Sequence, residues 1–367
     1  MNIKKFLVTL ITFLSIFSLN SCDSIKNQAT NKNLAEVAVL MPLSGENEAV
    51  GKQYANLVKI GIANGAQIPI KVTLYDSANE TALKESIKQI LEQKIKIIIG
   101  PIYSAETKLL ALQIKDHQDI AAISLSNDPT VADSNIFVFG HAPMKQVEQM
   151  TSYLIDSGYK NYITLLPSGR HSQTVSKIVQ SMIANRGGTL NKIEFYENNE
   201  EGIARSVKTV SDIVDGLNEE EENLKQPVII IGDESATLKK LYKIAKNFKL
   251  DKKAVIAGDN RLDSDSNEQI SIIFTGSIKI DSSNLKQKAL AFGVSDFSFI
   301  HALAYDAGKI VATYIGQQYN KDIFLNSLKN TENFEGVSGR ISFVDSIAKR
   351  RYEIIKKQNG TYQIQNN

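Results

Sequence analysis

Short apolar runs of strand length alternate along this chain with longer stretches in which apolar side chains return every three or four positions. The first pair sets the pattern. Residues 37–41 form an uninterrupted apolar run, broken by Pro42 and Gly45, and from Gly51 onward Tyr54, Leu57, Val58 and Ile62 recur at helical spacing. This predicts a buried strand, a turn and a helix with one apolar face. The alternation continues with a strand over 70–75 and a helix over 80–92 that buries Leu83, Ile87, Ile90 and Leu91. A strand over 95–99 ends at Gly100-Pro101, and Ser104 then opens a helix that buries Leu109, Leu112 and Ile114, before strands at 120–123 and 136–139. After Gly140-His141-Ala142-Pro143 a second run begins: helix 145–156, strand 162–166, and a helix over 172–185 whose stripe is Val175, Ile178, Val179, Met182 and Ile183, closed by Gly187-Gly188. Strand 189–196, helix 203–217, strand 228–231, helix 238–248 and strand 254–256 complete it, with the acidic run 219–222 read as a solvated loop.

This order predicts an α/β protein with parallel sheets covered on both faces, in two similar halves. The last hundred residues do not form a third unit. They contain a strand-like 276–280, a long helix over 297–316 with Ala304, Ala307 and Val311 inward, a short helical piece at 324–328, and a hairpin of 351–355 with 361–364 around Asn359-Gly360. In an open parallel sheet the turn at the carboxyl end of a strand faces the ligand crevice, which makes Ser44 and Gly45 the first candidate site residues.

Composition adds the compartment. Lys4 and Lys5 precede an apolar run over 6–19 that is too short to cross a bilayer comfortably, as in an export signal. Leu19-Asn20-Ser21 then leads to Cys22, the only cysteine in 367 residues. The stretch resembles a bacterial lipobox, so residues 1–21 are expected to be a lipoprotein signal peptide and Cys22 the lipidated residue; the alternative is an ordinary signal peptide with a chance cysteine. A lipid thioether and an acylated amine together exceed the two signals needed for stable anchoring. Residues 22–34 are polar and rich in Asn and Lys, and read as a flexible tether. Asp23 resembles the inner-membrane retention signal of enteric bacteria, but sorting differs between lineages, so inner and outer membrane both stay open. Beyond the leader the chain carries 40 basic and 40 acidic residues, a balance that gives no long-range attraction to nucleic acid. An apolar content of 43% suits a large core in two lobes, and with no second cysteine that core must hold the fold without a disulfide. No metalloprotease, nucleotide-binding, serine-nucleophile or Cys-x-x-Cys motif occurs, and the four histidines are far apart in sequence. The expectation is a protein without catalysis, metal or cofactor.

Four segments make a specific resemblance: V-A-V-L-M-P-L-S-G at 37–45, I-I-I-G-P-I-Y-S at 97–104, H-A-L-A-Y-D-A-G at 301–308 and F-E-G-V-S-G-R-I-S-F at 334–343. In this order and spacing they resemble the type I periplasmic binding proteins of the leucine-binding kind across nearly the whole mature chain. The resemblance implies a two-lobed type I periplasmic-binding fold, two parallel-sheet lobes with three crossovers, near Gly140 to Pro143, Phe274 to Gly276 and Val337 to Gly339. The lobes are then 35–141 plus 276–337, and 142–275 plus 338–367. The P-L-S-G turn, the lipobox, and F-E-G-V-S-G-R-I-S-F followed by Arg350-Arg351-Tyr352-Glu353-Ile354 are similar to the penicillin-binding protein activator lipoproteins, which use this fold to stimulate a peptidoglycan synthase. The enteric activators also carry an N-terminal helical-repeat domain, for which the interval from Cys22 to Val37 is too short.

In amino-acid binders of the family the ligand carboxylate is held by hydroxyls and backbone N–H groups of the first lobe. The matching positions are Ser44, Ser104, Ala105, Ser126 and Asn127, although Ser104 also fits a helix N-cap and Ser126-Asn127-Asp128-Pro129 a plain turn. Where the second lobe of the family has an aromatic in a Tyr-Gly pair, this chain reads His171-Ser172. His171 and Arg170 could meet an anionic group or form a solvent-exposed loop. The acid for a ligand amine falls near Asp259-Asn260, and Asp233 joins the candidates after strand 228–231. Two functions follow: an activator-like scaffold that binds a peptidoglycan synthase, or the receptor of an ABC importer, docking its permease with an amino acid or other small polar solute in the cleft.

Overall fold

The computed structural model describes residues 35–220, 225–232, 235–262, 270–277, 283–294, 297–316 and 320–365. The expected signal peptide, Cys22, the tether and Asp233 lie outside those residues. The first lobe opens with β1 (Ala35–Met41), β2 (Ile70–Asp76), β3 (Ile97–Ile99), β4 (Ala121–Ser124) and β5 (Ile136–Val138), all parallel. Strand β1 lies between β3 and the edge strand β2 and is buried on both faces: Val37, Val39 and Met41 point to one core, Ala38 and Leu40 to the other. Helices α1 (Glu48–Gly65), α2 (Glu80–Glu92) and α3 (Ser104–Gln113) are the crossovers between these strands. The expected βα alternation is present, with ends shifted by a few residues.

The second lobe begins with helix α4 (Pro143–Asp156) and continues through β6 (Asn161–Pro167), α5 (Arg170–Asn185), β7 (Thr189–Tyr196), α6 (Glu200–Glu220), β8 (Val228–Ile231), α7 (Ser235–Asn247), the short α8 (Leu250–Lys253), β9 (Val255–Gly258) and β10 (Ile272–Gly276). Helix α6 runs on to Glu220, so Glu219 and Glu220 of the acidic run expected as a loop are helical; the rest of that run lies outside the described residues. Of the strand expected at 276–280, residues 278–280 lie outside the described residues; the described strand here is β10 at 272–276, where Ile272, Phe274 and Thr275 are buried in the second sheet.

The chain then returns to the first lobe. Helix α9 (Ser283–Ala291) seats Leu285 and Ala289 in the first core, and α10 (Phe299–Tyr314) lies against α1. That helix pair is close because glycines face carbonyls: a Cβ on Gly61 would run into the carbonyl of Tyr305, and one on Gly308 into that of Val58. Helix α11 (Lys321–Lys329) follows, then β11 (Phe334–Glu335), β12 (Arg340–Val344), β13 (Ile347–Arg351), β14 (Glu353–Gln358) and β15 (Thr361–Gln365).

Strand order is β11-β12-β13-β5-β4-β3-β1-β2 in the first sheet and β15-β14-β10-β9-β8-β6-β7 in the second. The third crossing, expected at Val337 to Gly339, therefore falls at Tyr352, and residues 338–351 belong with the first sheet. The hairpin that carries them turns at Asp345 and Ser346, both with positive φ. A two-residue turn of that kind is normally signalled by Asn-Gly, which is why the hairpin was not predicted, whereas the β14/β15 turn at Asn359-Gly360 was.

Candidate functional site

A fold of this kind has its ligand crevice at the carboxyl ends of the strands, and the first-lobe candidates follow β1, β3 and β4. At β1 the turn is tied down by Asp76 at the end of β2, a residue that no motif or periodicity marks. Its carboxylate accepts the Leu43 amide (2.7 Å), the Ser44 hydroxyl (2.6 Å) and the Ala78 amide (3.0 Å). Burial pushes the Asp76 carboxyl up, and these three bonds outweigh it, holding it below the usual carboxylate range. The Ser44 hydroxyl is thus engaged inside its own lobe, and Gly45 supplies the positive φ of the turn. Ser126 is likewise internal. It is buried, its hydroxyl accepts the Asp128 amide, and its own amide donates to Ser124 Oγ, which lies 2.7 Å from Thr107 Oγ1. This is the plain-turn arrangement. Ser104 is the first residue of α3 rather than its N-cap, a position held by Tyr103 without a side-chain bond. Of the expected first-lobe residues, Ser44, Gly45, Ala105 and Asn127 are exposed and Ser104 is half-buried.

The second-lobe candidates follow β6 and β9. Asp259 is only 1% exposed, and its carboxylate is enclosed by Arg261: Nε lies 3.0 Å from both oxygens, Nη2 2.6 Å from Oδ2, and the Arg261 amide 3.0 Å from Oδ1. A bidentate guanidinium contact of this kind is among the strong charge-assisted pairings open to a carboxylate. The acid expected to meet a ligand amine is therefore already paired. His171 is exposed, with Nε2 3.4 Å from Arg261 Nη2; partial burial and the guanidinium push its pKa down. Arg261 lies in a single 3-10 turn, Asn260–Leu262, two residues from its partner, and has no periodicity to mark it in the sequence.

The first crossing contributes His141. Its ring lies 4.9 Å from that of Phe299, Nδ1 is buried without a hydrogen-bond partner among the described residues, and Asp259, Arg261, Arg350 and His171 surround it. Burial pushes its pKa down to about 4, with the three cationic neighbours adding and Asp259 opposing. The folded state thus binds this proton more weakly than the unfolded chain, whose histidine titrates near 6.5. His141 contributes no penalty above about pH 6.5 and a growing one as pH falls toward 4, amounting to about 3 kcal/mol. Urea titrations at pH 7 and pH 4 measure it: His141→Asn should remove roughly that much of the loss in stability on acidification.

Among the described residues no cluster of three or more His, Cys, Asp or Glu could hold a metal ion, and no helix is long and apolar enough to cross a membrane. Two mostly parallel α/β sheets, exchanged three times by the chain and facing each other across a cleft, define a two-lobed type I periplasmic-binding fold. A crystal structure described as a putative branched-chain amino acid ABC transporter from Rhodospirillum rubrum superposes with a TM-score of 0.73 at 13% identity, over 90% of this chain and 99% of that one. The leucine-binding protein LivK of Thermotoga maritima gives 0.55 at 16% identity, over 91% and 98%. Full-length LpoA from Haemophilus influenzae gives 0.64 at 16% identity, over 90% of this chain and 59% of LpoA, so the chain spans about three-fifths of that protein. The chain belongs to the family described as LppC putative lipoprotein, whose sequence model matches residues 22–248. An uncharacterized protein of Rickettsia prowazekii (strain Madrid E) is 38% identical over 366 residues, 98% of both chains.

Proposed function

We propose that this protein is a lipid-anchored component of the cell envelope, held in the periplasm through Cys22, that binds a peptidoglycan synthase and stimulates it without catalysing a reaction itself. The observation that carries this reading is the pairing of Asp259 with Arg261. In an amino-acid receptor the second-lobe acid must be open to the ligand amine; here its oxygens are occupied by the chain's own guanidinium and amide. Membership of the LppC family and the shared fold with LpoA support the same direction. The test is glycan-chain synthesis from lipid-linked precursor by a bifunctional synthase of the same cell, with and without the purified full chain. A severalfold rise in rate, with co-purification of the two proteins, is the expected result. An unchanged rate and no complex would remove the proposal.

A second reading keeps the cleft as a solute site, because Ser104 and Ala105 lie in the first turn of α3, where backbone amides lack an intrahelical acceptor and suit an anionic group. Under that reading a carboxylic acid at a hundred times its dissociation constant stabilises the chain by about 2.7 kcal/mol, a visible rise in Tm. Silence across amino acids and small organic acids would eliminate it.

A further inference from the structure

On the side of the crossings, a cavity of about 550 Å³ lies between the lobes. Arg340 and Arg351 line it from the first sheet, and Ser277, Glu353, Ile354 and Ile364 from the second. It includes none of Ser44, Ser104, Ser126, His171 or Asp259, so it is separate from the candidate site described above. Its volume lies within the range of about 300–1,000 Å³ typical of small-molecule sites. Strand β13 ends at Arg351 and β14 begins at Glu353, leaving Tyr352 alone between them. The two walls therefore meet at one residue of the hinge.

The charge arrangement on the first wall is unusual. Arg340 and Arg351 are direct partners in the antiparallel β12/β13 ladder. Their side chains leave the same face of the sheet with Cβ atoms about 5 Å apart, a placement that is unfavourable for like charges. Arg340 Nε bonds Glu335 Oε1 at 2.9 Å; Arg351 has no carboxylate partner among the described residues. The preceding residue, Arg350, points to the opposite face, where it donates to the carbonyls of Phe139 and Gly140, so it does not share the cavity. The lining holds two guanidiniums and two carboxylates, so its formal charge is zero; with Arg340 engaged by Glu335, Arg351 is the guanidinium whose planar fork is placed to match an oxyanion. Across the cavity, Glu353 disfavours a doubly charged phosphate, while Ile354 and the 47% exposed Ile364 offer hydrocarbon.

We propose that this cavity binds the carboxylate of a small, partly apolar ligand of about dipeptide size, with Arg351 holding the carboxylate and Ile364 covering the apolar part. Because the two walls belong to different lobes, the bound ligand fixes the angle between them. The proposal is independent of the synthase reading and of the cleft.

Calorimetric titration of the full chain in detergent with N-acetyl-alanyl-alanine tests it, alongside the same compound as its C-terminal amide and inorganic phosphate. The acid should bind, and the amide at least about tenfold more weakly. Arg351→Gln should lose at least that factor while its Tm stays level or rises, since the opposed charge on Arg340 is relieved. His171→Ala, in the cleft, should leave binding unchanged. Absence of heat from the acid at millimolar concentration, equal binding of the amide, tighter binding of phosphate, or a loss caused by His171→Ala in place of Arg351→Gln would each overturn the proposal.

Discussion

Asp306→Ala lowers the stability of the folded protein by about 3–5 kcal/mol, read as a shift of the urea midpoint, and the reason is a buried polar knot at the hinge. Asp306 is in the middle of α10 and is 0% exposed. Its carboxylate accepts the Val337 amide (2.8 Å), the Ser338 amide (2.7 Å) and the Ser338 hydroxyl (2.6 Å). Ser338 Oγ in turn receives Arg350 Nε at 3.2 Å, and the rest of that guanidinium donates to Gly140 O and Phe139 O while lying over the Phe139 ring. Burial pushes the Asp306 carboxyl up, and the bonds from Ser338 and Val337 together with Arg350 pull it back. Removing the carboxylate leaves two amides and the Ser338 hydroxyl without their acceptor and the buried Arg350 cation without its counter-charge, and each is costly alone. Arg350→Met should cost a comparable amount, because it strands the anion and the two carbonyls at the first crossing. The double variant Asp306→Ala/Arg350→Met should be less destabilised than the two single losses added together, since neither charge is then left alone. Additive losses would show that the two residues act separately.

Gly308→Val is expected to cost about 3 kcal/mol or more, because it separates two backbones and does more than crowd a side chain. At Gly308 the neighbour is the carbonyl of Val58, and at Gly61 the carbonyl of Tyr305; neither can rotate away. Either substitution forces α10 off α1, and with it Ala304, Ala307, Ile310 and Val311, which close the first core. The control is Gly216→Ala in α6, where a Cβ meets nothing within 4 Å. There the loss of backbone freedom in the unfolded chain should stabilise by about 0.5–1 kcal/mol. Equal and small effects at Gly308 and Gly216 would mean that the helix pair is looser than its geometry.

Two of the motifs that made the chain recognisable thus turn out to brace the hinge. The Asp in H-A-L-A-Y-D-A-G and the Ser in F-E-G-V-S-G-R-I-S-F are bonded to each other, and Arg350 joins them to the first crossing. Their spacing along the chain carried the resemblance, but their partnership is a contact across 32 residues that no local pattern encodes. The same holds at the cleft. Asp259 is visible as an acid after a strand, but its occupation by Arg261 is not, because that depends on how the 3-10 turn over Asn260–Leu262 folds back.

What the sequence determined by itself is the part governed by local periodicity. Apolar runs and helical stripes specify the βα order, and Asn359-Gly360 specifies one hairpin, because side-chain burial repeats with the backbone period. The tertiary structure decided what depends on which distant segments meet. It carried β12 and β13 into the first sheet, through a turn at Asp345-Ser346 that lacks the usual residues. It engaged Ser44 with Asp76 and Asp259 with Arg261, and it set Arg340 beside Arg351 on the wall of a cavity. The physical reason is that hydrogen bonds and charges act at a few ångströms in space, and only the packed fold fixes those separations.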